Sequence, residues 1–198
     1  MHLISKLNFS KTDYFSLLLA ILPISFIAGN MIININVILI IISALVIFKD
    51  KLFKINFYFL DKLLIVFFLL ILFTGIYNDI AIYFNDRNFS DWRGRFGTII
   101  KSLFFLKYLF FFITLRFLIE KKILDLKLFF ITSTFSCLFV CFDIFIQYFF
   151  GKDIFGYEII YDRKLSGPFG DELIAGGYVQ RFSLFAFFLL PIFYNNPK

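Results

Sequence analysis

Two stretches of this sequence carry side chains suited to holding an anion. The first, RKLSGPFGDELIAGGYVQRF, sets Arg163, Lys164 and Arg181 around four glycines and the adjacent acids Asp171 and Glu172. The second, DRNFSDWRGRFG, places Arg87, Arg93 and Arg95 around a lone Trp92. Arginine offers a planar fork of donors that matches phosphate oxygens. Glycines such as Gly167, Gly170, Gly176 and Gly177 let backbone approach a ligand closely. Pro168 lacks an N–H and pushes Gly167 out of the α region, so SGPFG cannot be regular helix. Asp171 is then placed to cap a helix starting at Glu172, and both acids suit its positive N-terminus. A solvated turn with a capping acid explains the glycines, but it leaves Arg181 interrupting an apolar run. A charged, irregular patch at a membrane face accounts for both. For the second stretch, an interfacial loop anchored by its tryptophan competes with a basic rim for an anionic headgroup.

Further polar side chains stand inside apolar runs. Lys107, Asp143 and, one turn on, Gln147 are such residues. An ionised group at mid-bilayer costs at least about 2.5–3.5 kcal/mol, so it pairs, faces a bundle interior or lines a pathway. Either a structural pairing of Lys107 with Asp143 or a route for substrate or ions would explain them. Cys137 and Cys141 are one helical turn apart and read as small apolar residues, not as a metal or disulfide framework. His2 is the one histidine, so no Ser–His–Asp or Cys–His set and no zinc site can be assembled.

The elements that must position these residues follow from hydropathy. Of 198 residues, 61% are hydrophobic and 34 are phenylalanine, more apolar surface than a water-soluble domain of this size can bury. Apolar stretches at Tyr14–Gly29, Met31–Phe48, Leu60–Tyr77, Ile99–Ile119 and Phe129–Phe150 each approach the roughly 20 residues that cross a bilayer. A sixth begins at Glu172 or Phe182 and ends at Tyr194. Backbone polar groups in hydrocarbon need internal partners. The expected fold is therefore all-α: a polytopic integral membrane protein of about six transmembrane helices, a single helical domain over residues 1–198. The segment KDKLFKINFYFLDK has four lysines against two aspartates, and RFLIEKKILDLK is also lysine-rich. Loops 78–98 and 151–180 balance their charges or lean acidic. The positive-inside rule places the N-terminus and both lysine-rich loops in the cytoplasm, with the two long polar loops opposite. The net charge of +6 is spread over many loops and so reports topology, not nucleic-acid binding.

The run DIFIQYFFGKDIFG followed by RKLSGPFGDELIAGGY resembles the central segment of the O-antigen ligase family, which includes surface-polysaccharide polymerases. The match is strongest over Asp143–Tyr178. It implies a bacterial inner-membrane transferase that moves a glycan from a polyprenyl diphosphate carrier to a lipid A–core or growing polysaccharide acceptor. No cofactor, nucleotide sugar or metal is implied. Arg163 matches the arginine that precedes the family's Ser/Thr-Gly-x-Phe pattern, and Arg181, Arg93 and Arg95 are expected to join it on the diphosphate. Gly167, Asp171, Glu172, Asp143 and Gln147 are expected to form or support the loop. Gly170-Asp171-Glu172 stands where many members continue with Pro-Asn. Members have about twice as many spans and a later periplasmic loop with a catalytic His and further Arg, so the expectation is that this chain is an N-terminal half. The catalytic residues are then not among those present.

A rival class is a transporter or flippase part for an anionic lipid or solute, motivated by Lys107, Asp143 and Arg181 within apolar runs. The topology is open to a direct test. With Cys137 and Cys141 replaced, single cysteines at positions 51 and 122 should resist an impermeant thiol reagent in intact spheroplasts, and cysteines at 92 and 164 should react. The reverse pattern would overturn the orientation.

Overall fold

The computed structural model describes residues 10–85, 97–159 and 164–190. Among the described residues seven α-helices follow in order: α1 (Lys11–Ala20), α2 (Leu22–Ile27), α3 (Asn30–Phe48), α4 (Phe59–Asn85), α5 (Gly97–Glu120), α6 (Lys127–Phe150) and α7 (Ala175–Phe187). Short 3-10 turns lie at Lys49–Phe53 and Gly167–Phe169. Among the described residues there is no strand, only an isolated antiparallel bridge between Lys152 and Glu158. The protein is all-α, as its apolar runs predict. Among the described residues four helices are individually long and apolar enough to cross a membrane: Asn30–Phe48, Phe59–Ala81, Gly97–Glu120 and Lys127–Phe150. Many of their large apolar side chains are exposed on the protein, Phe73 and Phe104 among them, as lipid-facing surfaces require.

The chain divides into two compact units, Met1–Asn36 with Lys121–Lys198, and Val37–Glu120. In the first unit α1, α2 and α7 pack on α6. The first apolar run is not one helix: it breaks at Ile21, just before Pro23 near the start of α2. Proline removes a backbone donor and interrupts the ladder. Asn36 covers the break, donating from Nδ2 to Leu18 O at 3.2 Å and to Ser25 Oγ at 3.2 Å. At the other end of the unit Ser10 and Asp13 form a capping box on α1, and the hydrogen bonds from Ser10 hold the Asp13 carboxyl below its ordinary value.

In the second unit α4 and α5 form an antiparallel hairpin. α4 is longer than its apolar core predicts and continues to Asn85, into the expected loop 78–98. An acid fixes each end. Asp79 Oδ2 accepts the Thr98 and Ile99 amides at 3.1 and 2.9 Å, satisfying two donors that the start of α5 would leave open. Asp61 accepts the Tyr58 amide at 2.8 Å and meets Arg116 Nε at 3.4 Å. Between them Gly75 lies so close to Ser102 that a Cβ there would come within 2.5 Å of the serine Oγ. Small residues at such a crossing allow close helix contact in lipid.

Asp79 is 2% exposed, so its removal leaves the first-turn amides of α5 without partners. Asp79→Ala should cost about 1–2 kcal/mol, and Asp79→Asn, which keeps a carbonyl acceptor, should cost less. Reversible unfolding in urea–detergent mixtures, followed by circular dichroism, checks both.

Candidate functional site

The site begins with two polar residues of α6 that the sequence places inside an apolar run. Asp143 and Gln147 are both 0% exposed, one turn apart on the face that the following loop covers. Asp143 Oδ1 accepts the Ile154 amide at 2.8 Å. Gln147 Oε1 accepts the Gly167 amide at 2.9 Å, while its Nε2 donates to Ser166 Oγ at 3.3 Å and to Tyr157 O at 3.4 Å. Residues 151–159 thus fold back as a compact turn. Gly151 ends α6 in a left-handed conformation at φ 75, a position that suits glycine. Asp153 then ties the turn to itself, its amide donating to Tyr157 O at 3.0 Å and its Oδ1 accepting the Tyr157 amide at 2.6 Å. On the surface Lys152 Nζ sits 2.9 Å from Glu158 Oε1, and that hydrogen bond holds the Glu158 carboxyl below its ordinary value.

The second half of the loop rests on the same helix. Gly167 takes φ +55, and a Cβ there would lie 3.1 Å from Ile144 Cγ1 and 3.7 Å from Asp143 Oδ2. Both conformation and space therefore call for glycine. The 3-10 turn Gly167–Phe169 follows, as the proline requires. The helix after it starts later than the sequence suggests. Its N-cap is Ile174, with no side-chain cap bond, and Asp171 and Glu172 lie in the exposed turn before it. Asp171 is therefore not the cap. The Phe169 carbonyl accepts the Glu172 amide at 3.2 Å, which holds this stretch as a turn in place of a first helical turn.

α7 is fastened to α2 by Tyr178, whose hydroxyl donates to Pro23 O at 3.0 Å and whose ring packs on Phe169 and Phe182. A cavity of about 600 Å³ opens beside it, with Glu172, Gly177, Tyr178 and Arg181 on one wall and Gly29, Asn30 and Tyr157 among the rest. Arg181 is exposed there, and among the described residues no carboxylate pairs with it. A second cavity, about 640 Å³, is lined chiefly by apolar side chains such as Ile24, Phe135, Phe139 and Phe155. The two share Ile27, Ala28, Tyr157 and Pro168. A chamber of mixed lining that bears an arginine, with Phe26, Phe169 and Phe182 also on its walls, thus adjoins an apolar groove.

The expected site residues separate into three groups. Arg181 and Glu172 line the mixed chamber, whereas Gly167, Asp143 and Gln147 brace the loop. Arg163, Arg93 and Arg95 lie outside the described residues. Lys107, in the second unit, lies with its Nζ 5.0 Å from the centre of the Tyr108 ring. Sequence reasoning missed Asp153, Tyr157 and Tyr178. Gly151 and Gly156, which bracket KDIF, were the available signal for a turn at Asp153. No local pattern marks Tyr178, because its partner Pro23 is 155 residues away. Among the described residues no group of three or more His, Cys, Asp or Glu is placed to hold a metal ion.

The fold and this loop define a polytopic all-α membrane protein whose fifth apolar run ends in a braced, glycine-containing loop. No protein-family model, curated protein or solved structure matches the chain.

The brace can be tested by hydrogen exchange. Gln147→Leu strips the Gly167 amide of its acceptor, and an unpaired buried donor costs about 1–3 kcal/mol. Exchange in a peptide covering Gly167 should accelerate roughly 5- to 100-fold. Gln147→Glu, which retains an acceptor oxygen, should stay closer to wild type, and α4–α5 peptides should not change.

Proposed function

We propose that this protein is an O-antigen ligase-like glycan transferase of the bacterial inner membrane, and that the loop over α6 is where it meets a polyprenyl diphosphate-linked donor. One observation carries the reading. The arginine-bearing chamber shares Tyr157 and Pro168 with the apolar groove, a pairing suited to a ligand with an anionic head and a long hydrocarbon tail. The resemblance of Asp143–Tyr178 to that family supplies the reaction class, and a lipid A–core or growing polysaccharide would be the acceptor.

On this reading the chemistry asked of the chain is electrostatic. As the glycan leaves, negative charge builds on the diphosphate. Guanidinium groups preorganised around it stabilise that charge more in the transition state than in the ground state. Arg181 would supply one such group, and Arg163, on the resemblance, another. Glu172 on the same wall would keep a second anion from entering the chamber, or would orient a sugar hydroxyl. The base that activates the acceptor is not assigned to any residue of this chain. Of the three residues that motivate the transporter reading, Asp143 has one oxygen engaged by the loop.

The test is transfer of glycan from a purified polyprenyl-diphosphate donor to acceptor in membranes containing the protein as encoded, with expression matched. Arg163→Ala and Arg181→Ala should each lower the rate, Arg163→Ala by about 10²–10³-fold, the worth of one transition-state contact. Arg163→Lys should restore only part, because an ammonium acts as a point charge where a fork is needed. Lys164→Ala should matter less. Near-wild-type transfer by both alanine variants would leave the loop with a purely structural job.

A further inference from the structure

The glycines of the loop and of α7 divide by the reason each is there. Gly151, Gly156, Gly167 and Gly170 adopt a positive φ, which their turns require and which glycine takes easily. Gly176 and Gly177 do not, for both lie in ordinary helical backbone in the first turn of α7. Both are exposed, and a Cβ built on either meets no atom of the described residues within 4 Å. Neither conformation nor packing therefore excludes a side chain, and glycine weakens a helix relative to alanine. The two differ in where they face. Gly177 lines the arginine-bearing chamber together with Arg181, one turn further along the same face of α7, whereas Gly176 is absent from the chamber's walls.

We propose that Gly177 is a size-determining position of the chamber: the phosphate-bearing head of the ligand lies against the bare backbone of α7 at Gly177 while Arg181 holds its charge. This rests on the donor reading above and adds to it the residue that the head must approach closely. Side chains on a helix lean toward its N-terminus, so that of Arg181 leaves α7 toward the turn that contains Gly177. An anion paired with the guanidinium there lies beside the helix backbone, and a methyl group on residue 177 takes up space that the anion needs. The chamber, about 600 Å³, is far larger than a methyl group. The head is not free to use that space, because Arg181 is the one cation among the described residues that line it and Glu172 on the same wall repels a phosphate. Position is set by the charge, and clearance at that position is set by Gly177.

The experiment is equilibrium binding of a radiolabelled polyprenyl diphosphate that carries no glycan, and of the matching polyprenol, to the full chain in lipid nanodiscs, with thermal unfolding alongside. Gly176→Ala and Gly177→Ala should both raise the melting temperature, by about 1–4 °C, because alanine leaves the unfolded chain less freedom than glycine. Only Gly177→Ala should lose affinity for the diphosphate, by roughly fivefold or more, the penalty of an extra methyl group in a filled site. Its affinity for the polyprenol should not change, since the alcohol lacks the group that Arg181 holds. Combined with Arg181→Ala the two losses should not add, because both act on one phosphate group. Equal diphosphate binding by wild type and Gly177→Ala would overturn the inference and leave the donor reading intact. Equal losses in both glycine variants, or losses that add in the double variant, would do the same. A lower melting temperature in Gly177→Ala would show that the protein, not the ligand, needs the bare position. Failure of wild type to bind the diphosphate more tightly than the polyprenol would remove the donor reading itself, and this inference with it.

Discussion

The structure of the first unit depends on one constraint: an amide and a carboxylate buried in α6 must find partners, and the loop is what provides them. Gln147 can satisfy its acceptor and donor only if Gly167, Ser166 and Tyr157 come to it. Asp143 makes the same demand of Ile154. In a low-dielectric surrounding an unmet polar group is expensive, so these few bonds dictate where a long irregular stretch must lie. Once Gly167 is fixed, Pro168 turns the chain and α7 follows, with Tyr178 set against the carbonyl of Pro23. The arginine-bearing chamber is a by-product of that sequence of attachments.

The helices were legible from hydropathy because a bilayer crossing needs length and apolarity, both local properties. Four runs became single helices, three of them with both boundaries near those expected. Tyr14–Gly29 did not, because Pro23 outweighs the apolar content around it. The end of α4 was misplaced for the opposite reason. Asn78 and Asp79 look like loop residues, yet Asp79 is consumed as a cap for the next helix and the backbone runs on. Polarity in sequence thus marked a partner for α5, not an end of α4.

The site was legible in part. The glycine–proline punctuation of residues 166–170 announced irregular backbone, and the structure has it there, with Gly167 in the left-handed region. Asp143 and Gln147 were recognisable as out of place in an apolar run, but their partners were not, since hydrogen bonds across 11 and 20 residues of loop follow no period. Asp171 and Glu172 had the composition of a helix start without the geometry. The turn that Phe169 closes on Glu172 uses up the amide that a first helical turn would present.

The α4–α5 hairpin is clamped at both ends, by Asp79 on the amides of α5 and by Asp61 on Arg116, with Gly75 seated against Ser102 between them. Two membrane helices held at one end can slide along each other, a turn at a time, when the surrounding lipid thins or thickens. This pair cannot, because a slip of about 5.4 Å would break both clamps at once. Its answer to a change in bilayer thickness is to tilt as one body or to deform the lipid around it. The hairpin therefore behaves as a strut of fixed length, and the cost of a mismatched membrane falls on the lipid rather than on the register of the helices.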